Sequence, residues 1–340
     1  MRALVNAAVR PALVAAPLPD AAAFHASLPG YEPTPVHDLV AVADELGLSA
    51  VGLKDESDRL GLPAFKVLGA SWAVERLLAT NPGVRTLVAA SAGNHGRAVA
   101  HVARVRGLGC HIFLPARAAE PRRAAIAGEG AEVVMVDGTY EDAVAAASLA
   151  GAAPGVAEVA DVGISDTASW VVDGYATLFA ELRDQHRFDV LLVPIGVGSL
   201  GAAAARFAAH AGVALVGVEP VTAACLTVSL AAGTPTSVPT PGTTMAGLDC
   251  AEVSATAWPT LRDGGHGTVT VTDDEVAEAV RELRAAGLAI GESGAAPLAA
   301  LRAMVNDTEC AALRAVAGLG ADSRVLLVAT EGPTGIAPET

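Results

Sequence analysis

Eight short apolar runs punctuate the chain from about residue 50 onward: 51–54, 86–90, 111–114, 133–136, 190–193, 215–218, 268–271 and 325–328. Runs of this length, rich in Val, Leu and Ile and bounded by Gly, Pro or polar residues, predict buried β-strands. Several are separated by mixed stretches long enough for a helix, such as 96–105, 120–129 and 141–149. Strands alternating with helices predict an α/β architecture with open, twisted, mostly parallel sheets and helices on both faces. Neither an internal repeat nor a low-complexity linker is visible. Pro and Gly cluster in residues 231–249, AAGTPTSVPTPGTTMAGLD, which reads as a long loop, either ordered beside a site or mobile.

Composition narrows the functional classes. A length of 340 residues suggests two domains. Hydrophobic residues make up 52% but aromatics only 4%, so Ala, Val and Leu must fill the cores. The formal net charge of −15, with no concentrated block of Lys and Arg, argues against nucleic acid or an anionic membrane surface as partner. Cys110, Cys225, Cys250 and Cys310 form no C-x-x-C pair and are too sparse for a disulfide framework. They read as reduced, mostly buried thiols of a cytoplasmic protein. Arg10 and Pro11 interrupt the apolar N-terminal tract, which argues against a signal peptide, and no apolar run is long enough to span a bilayer.

Three polar turns follow strands: SAGNHG after 86–90, GVGSLG after 190–193 and TEGPTG after 325–328. In open α/β sheets ligands sit beyond the carboxyl ends of the strands, so the three turns could converge on one ligand. Gly196, Gly198 and Gly201 make G-x-G-x-x-G before an Ala-rich helix, and a second strand ends in Glu219. That is nearly the NAD fingerprint. A Rossmann loop usually opens its domain, however, and this one follows at least four earlier strands. The same backbone amides suit any phosphate monoester, and a ligand-free tight turn is the plain structural alternative. Hydrolase elbows fail by one residue at Val197 in VGSLG and at Ala295 in GESGA. There is no zinc-ligand cluster and no Walker A motif, and no metal is expected.

Lys66 lies among Phe65, Val67 and Leu68 at a helix start. A lysine in an apolar pocket is expected to have a lowered pKa, and a neutral amine can form a Schiff base with an aldehyde. Alone it reads as a surface lysine. With a distant phosphate loop it suggests pyridoxal 5′-phosphate, the lysine holding the aldehyde and the glycines the phosphate.

In that order, AFKVLGA, SAGNHG and PIGVGSLG resemble the fold-type II pyridoxal-phosphate enzymes, the tryptophan-synthase-β-like superfamily. KDESDRLGLPAFKVLGASWA, GNHGRAVA, DGTYEDAV, SWVVDGYATL, GVEP…ACL, TTMAGLDC, GESGA and VATEGPT resemble the 2,3-diaminopropionate ammonia-lyase branch. The likeness runs from about Tyr31 to Thr334. It implies residues 1–66 plus 175–340 as a large cofactor-binding domain, residues 67–174 as a small domain, and an active site in the cleft between them. A homodimer is implied as well.

The resemblance also implies roles. Lys66 would carry the cofactor and Asn94 would hydrogen-bond its 3′ oxygen. Gly196, Val197, Gly198, Ser199 and Leu200 would cradle the phosphate. Thr330 would face the pyridine nitrogen, a neutral hydroxyl that favours β-elimination over transamination. Ser91, Ala92, Gly93 and His95 would lie at the substrate end, His95 as a turn residue rather than a base. The family offers two carboxylate bases, one for each face of the substrate. One position is Ala92 here, without an acid, and SAGNHG is closer to the threonine dehydratases at that point. The other is Asp161, with Asp166 as fallback. The implied reaction is elimination of ammonia from a 2,3-diamino acid, L-isomer preferred, giving pyruvate. Alternatives are a serine or threonine dehydratase, a β-replacement synthase and, from another class, an NAD-dependent dehydrogenase. Glu219 is left open between site neighbour and strand terminus, Ser71 and Asp55 between pocket and cap. Tyr175 and Trp170 are read as core.

Overall fold

The computed structural model describes residues 1–18, 20–185 and 187–333, so only Thr334 of the matched segments lies outside them. The strands form two sheets. The larger runs β1 (Ala3–Val5), β10 (Gly267–Val271), β9 (Ala214–Pro220), β8 (Val190–Pro194), β11 (Arg324–Ala329), β3 (Ala50–Asp55) and β2 (Val36–Asp38). The smaller runs β6 (Glu132–Val136), β5 (Gly109–Pro115), β4 (Thr86–Ala90) and β7 (Val156–Glu158). Pairing is parallel throughout the small sheet and in the interior of the large one. Only β1 and β2, at its two edges, pair antiparallel with their neighbours.

All eight expected strands are present, mostly a residue or two longer than their apolar runs, and the three expected helices are Asn94–Val105, Glu120–Gly128 and Tyr140–Gly151. Strand β8 shows why these runs are continuous rather than alternating. Leu191 and Val193 pack into one core, Val190 and Leu192 into the other on the opposite face, and all four are fully buried. The first core also takes in the small sheet through helices Lys66–Thr80, Asp166–Gln185 and Ser199–Ala211.

Two of these helices cross almost in contact. A Cβ on Gly69 would lie 2.5 Å from the Tyr175 ring, and one on Gly174 would lie 2.5 Å from the Leu68 carbonyl. Only small residues permit that approach, which lays Tyr175 against the first turn of helix Lys66–Thr80. Among the described residues, no helix is long and apolar enough to cross a membrane.

Candidate active site

Lys66 is the first residue of its helix. Its backbone is set by the segment before it: Ala64 bridges Glu331, and Gly332 N–H donates to the Pro63 carbonyl at 3.0 Å. The Nζ donates to Asp161 Oδ2 at 3.0 Å and lies 5.5 and 5.8 Å from the centroids of the Phe65 and Tyr175 rings. Asp161 sits in the loop between β7 and helix Asp166–Gln185, and its carbonyl accepts from Ser199 Oγ at 3.1 Å. One residue therefore links the lysine, through its side chain, to the glycine loop, through its backbone. Asp166 is exposed at the helix start and makes no such contact.

The electrostatics revise one expectation. Burial does pull the Lys66 ammonium down, but the neighbouring Tyr175 and Asp161 outweigh it and hold the group above its ordinary value. A partner 95 residues away reverses the sign that an apolar neighbourhood alone predicts. Burial pushes Asp161 up, yet His95 and Lys66 bring it down to about 2. His95 is buried, and that burial lowers its imidazole despite the nearby Asp161. Its Nε2 donates to the Val159 carbonyl at 2.8 Å, since a carbonyl can only accept, and Nδ1 faces Asp161 Oδ2 at 3.8 Å.

The turn after β8 meets the N-terminus of the 13-residue helix Ser199–Ala211, whose first amides have no intrahelical acceptor. Gly198 has φ +95°, which favours glycine, and a Cβ on Gly196 would fall 2.6 Å from the Gly247 carbonyl. Leu200 and Ser199 are buried. Asn94 opens helix Asn94–Val105 after Ser91, Ala92 and Gly93, and its Nδ2 donates to Glu331 Oε2 at 2.6 Å. Thr330 is buried at the end of β11 beside Phe65, whose N–H reaches its carbonyl at 3.4 Å. A cavity of about 140 Å³ is lined by Pro63, Ala92, Gly93, Asn94, Gly247 and Glu331 among others. Gly247 belongs to the Pro/Gly-rich stretch, so part of that loop borders this cavity. A larger open groove near Arg2, Glu275, Arg302 and Asp307 is occupied by paired charges: Arg2–Glu275 at 2.5 Å and Arg302–Glu282 at 2.6 Å.

The ambiguous residues all make local hydrogen bonds. Glu219 is fully buried and accepts from Leu226 N–H, Thr227 N–H and Thr227 Oγ1 at 2.7–2.8 Å, capping the helix Cys225–Ala232; burial pushes its carboxyl up to about 7. Ser71 Oγ bonds the Val67 carbonyl, and Asp55 accepts from Ser57 N–H. Two residues beside the site escaped the sequence reading. Tyr175 is core, as expected, but its ring faces Lys66. Glu331 lies in the TEGPTG turn and is buried, with its carboxyl pushed up by that burial.

These groups fit pyridoxal phosphate on their own chemistry. The Lys66 amine pairs with Asp161, whose carbonyl meets the turn that offers helix-terminal amides, and Asn94 and Thr330 supply an amide and a hydroxyl in turns that follow two strands. The comparisons agree. The family described as pyridoxal-phosphate dependent enzyme matches residues 28–331, and the chain belongs to it. Within that class the chain is 32% identical to diaminopropionate ammonia-lyase of Salmonella typhimurium, over 92% of this chain and 88% of that protein. It is 30% identical to the Escherichia coli K12 diaminopropionate ammonia-lyase, over 92% and 87%. The crystal structure of the Escherichia coli lyase in complex with an aminoacrylate-PLP azomethine reaction intermediate superposes with a TM-score of 0.86 at 28% identity, covering 98% of this chain and 94% of that one.

Proposed function

We propose that this pyridoxal-phosphate enzyme is an ammonia-lyase that acts on 2,3-diaminopropionate, with preference for the L-isomer, and yields pyruvate and ammonia. The observation that carries the reading is the Lys66–Asp161 pair at 3.0 Å, tied through Ser199 to the glycine loop. Lys66 would hold the cofactor through its aldehyde, and the backbone from Gly196 to Leu200 would receive the phosphate. Asn94 and Thr330 would hold the two polar positions of the ring. When bound, the cofactor supplies an electron sink for the pair left at Cα. Asp161, within hydrogen-bond reach of Lys66, would accept the Cα proton. The Cβ–N bond then breaks and ammonia leaves; hydrolysis of the released product gives pyruvate and a second ammonia. Ser91 and Gly93 receive the substrate carboxylate, with Ala92 and His95 flanking.

Stereochemical preference follows from the acids present. Asp161 serves one face, and Ala92 offers no carboxylate to the other. The same likeness supports a cytoplasmic homodimer whose small domain, about residues 67–174, carries the four-stranded sheet, while residues 1–66 and 175–340 carry the larger one.

The test is keto acid release from L- and D-2,3-diaminopropionate, L-serine and L-threonine, with the cofactor absorbance recorded alongside. Pyruvate from the L-diamino acid alone supports the lyase. Equal or better turnover of serine or threonine replaces it with a dehydratase. A spectral response to amino acids with no keto acid leaves a β-replacement enzyme, and NAD binding with no cofactor band returns the loop to a dehydrogenase.

A further inference from the structure

Glu331 has no part in the reaction as described, yet its placement is highly constrained. It follows the last strand of the large sheet, pairs with Ala64 two residues before Lys66, and its carbonyl accepts from Gly291 N–H at 2.9 Å. Its side chain reaches across to the four-stranded sheet's side of the site, where Oε2 takes the Asn94 amide at 2.6 Å. The residue is only 4% exposed and lines the same cavity as Asn94. A buried carboxyl is costly, and an uncharged side chain would fill the volume without that cost.

We infer that Glu331 is a positioning residue for Asn94: its carboxylate holds one N–H of the Asn94 amide, which orients the other N–H towards the 3′ oxygen of the bound cofactor. The inference rests on the cofactor reading above. An amide can turn over and present its oxygen instead, and at a phenolic oxygen that would replace attraction with repulsion. A carboxylate oxygen only accepts, so it selects the orientation with Nδ2 towards itself. The acceptor also lies at the N-terminus of the 12-residue helix Asn94–Val105, where negative charge is favoured. The contact joins the end of β11, where Glu331 pairs with Ala64, to the turn that carries Asn94.

The test uses the holoenzyme and the variants Glu331→Ala, Glu331→Gln, Asn94→Ala and the Glu331→Ala/Asn94→Ala double. Readouts are the maximum of the visible cofactor band and the dissociation constant of pyridoxal phosphate. We expect the band in Glu331→Ala to be retained but shifted, with cofactor affinity about tenfold weaker, the size of one net hydrogen bond. Asn94→Ala should show the same shift, and the double variant no more than the single one, as for residues acting through one contact. Glu331→Gln keeps an acceptor oxygen and should restore the band to its wild-type position. An unshifted band in Glu331→Ala, or effects that sum in the double variant, overturns the inference. Should the alanine variant fail to fold, a Glu331→Gln band as displaced as that of Asn94→Ala overturns it equally. Absence of any band in the wild-type protein overturns the cofactor reading itself, and this inference with it.

Discussion

The chain contains two lysines, Lys54 and Lys66, and each is paired with a carboxylate in the interior. Their surroundings differ in one respect that separates structure from chemistry. Lys54 is 0% exposed and spends its donors on the Thr34 carbonyl at 2.7 Å, Glu181 at 2.6 Å and Gln185 Oε1 at 2.9 Å. Glu181 is in turn held by Arg59, which also grips Glu56. Lys66 has a side chain 21% exposed and a single carboxylate partner. Burial lowers the Lys54 ammonium, and Glu181 and Glu56 do not fully restore it, whereas Lys66 ends above its ordinary value. A proton-affinity argument alone would therefore select Lys54 as the nucleophile. Geometry favours Lys66: its amine is partly exposed and pairs with one carboxylate, whereas the Lys54 amine is enclosed by three acceptors. The difference is that Lys54 is a saturated buried charge, as framework requires, and Lys66 an under-coordinated one, as the proposed chemistry requires.

The largest expected effect follows from replacing Lys66, the proposed cofactor lysine. Lys66→Ala should lose the visible cofactor band and reduce turnover on the order of 10⁴-fold or more, while the fold persists by circular dichroism. Next, Asp161→Asn should keep the band but lower kcat by about 10²–10⁴-fold, the usual contribution of a general base. Together these separate holding the cofactor from moving the proton.

Breaking the saturated cluster should give the opposite pattern. Glu181→Ala strands Lys54 and Arg59 without their shared carboxylate, and urea denaturation should show a loss of about 3–5 kcal/mol. A variant of unchanged stability would mean that the cluster is not the framework described.

The smallest effect concerns Glu219, a buried carboxylate with hydrogen-bond donors but no cation. Glu181, facing Arg59 and Lys54, is held below its ordinary value despite burial, whereas Glu219 rises from 4.5 to about 7. The folded state thus binds this proton more tightly than the unfolded chain. Its contribution to stability is fully present below about pH 4.5 and is lost as pH rises through 7, at most about 3 kcal/mol. Glu219→Gln should flatten that part of the stability–pH curve, and an unchanged slope between pH 4.5 and 8 would contradict it.

The legible part of the fold was its interior. Every strand buried among parallel neighbours announced itself as an apolar run. The three not foreseen, β1, β2 and β7, are all three-residue edge strands, where one side lacks a partner and no continuous apolar run is demanded. In the site, Lys66, Asn94 and the glycine loop stand out because each is an unusual residue for its local setting. Tyr175 was not legible as a neighbour of Lys66, because the contact depends on a helix crossing at Gly69 and Gly174, over a hundred residues apart. Small residues in two apolar helical segments were the available signal. Glu331 was visible as a charge between a buried strand end and a glycine, but its partner Asn94 lies 237 residues away.

The central question is which lysine carries the cofactor. The most direct measurement is borohydride reduction of the protein saturated with pyridoxal phosphate, followed by mass mapping of its peptides. A phosphopyridoxyl mass is expected on the peptide containing Lys66 and none on the peptide containing Lys54. Label on Lys54, or no label on either, would contradict that assignment.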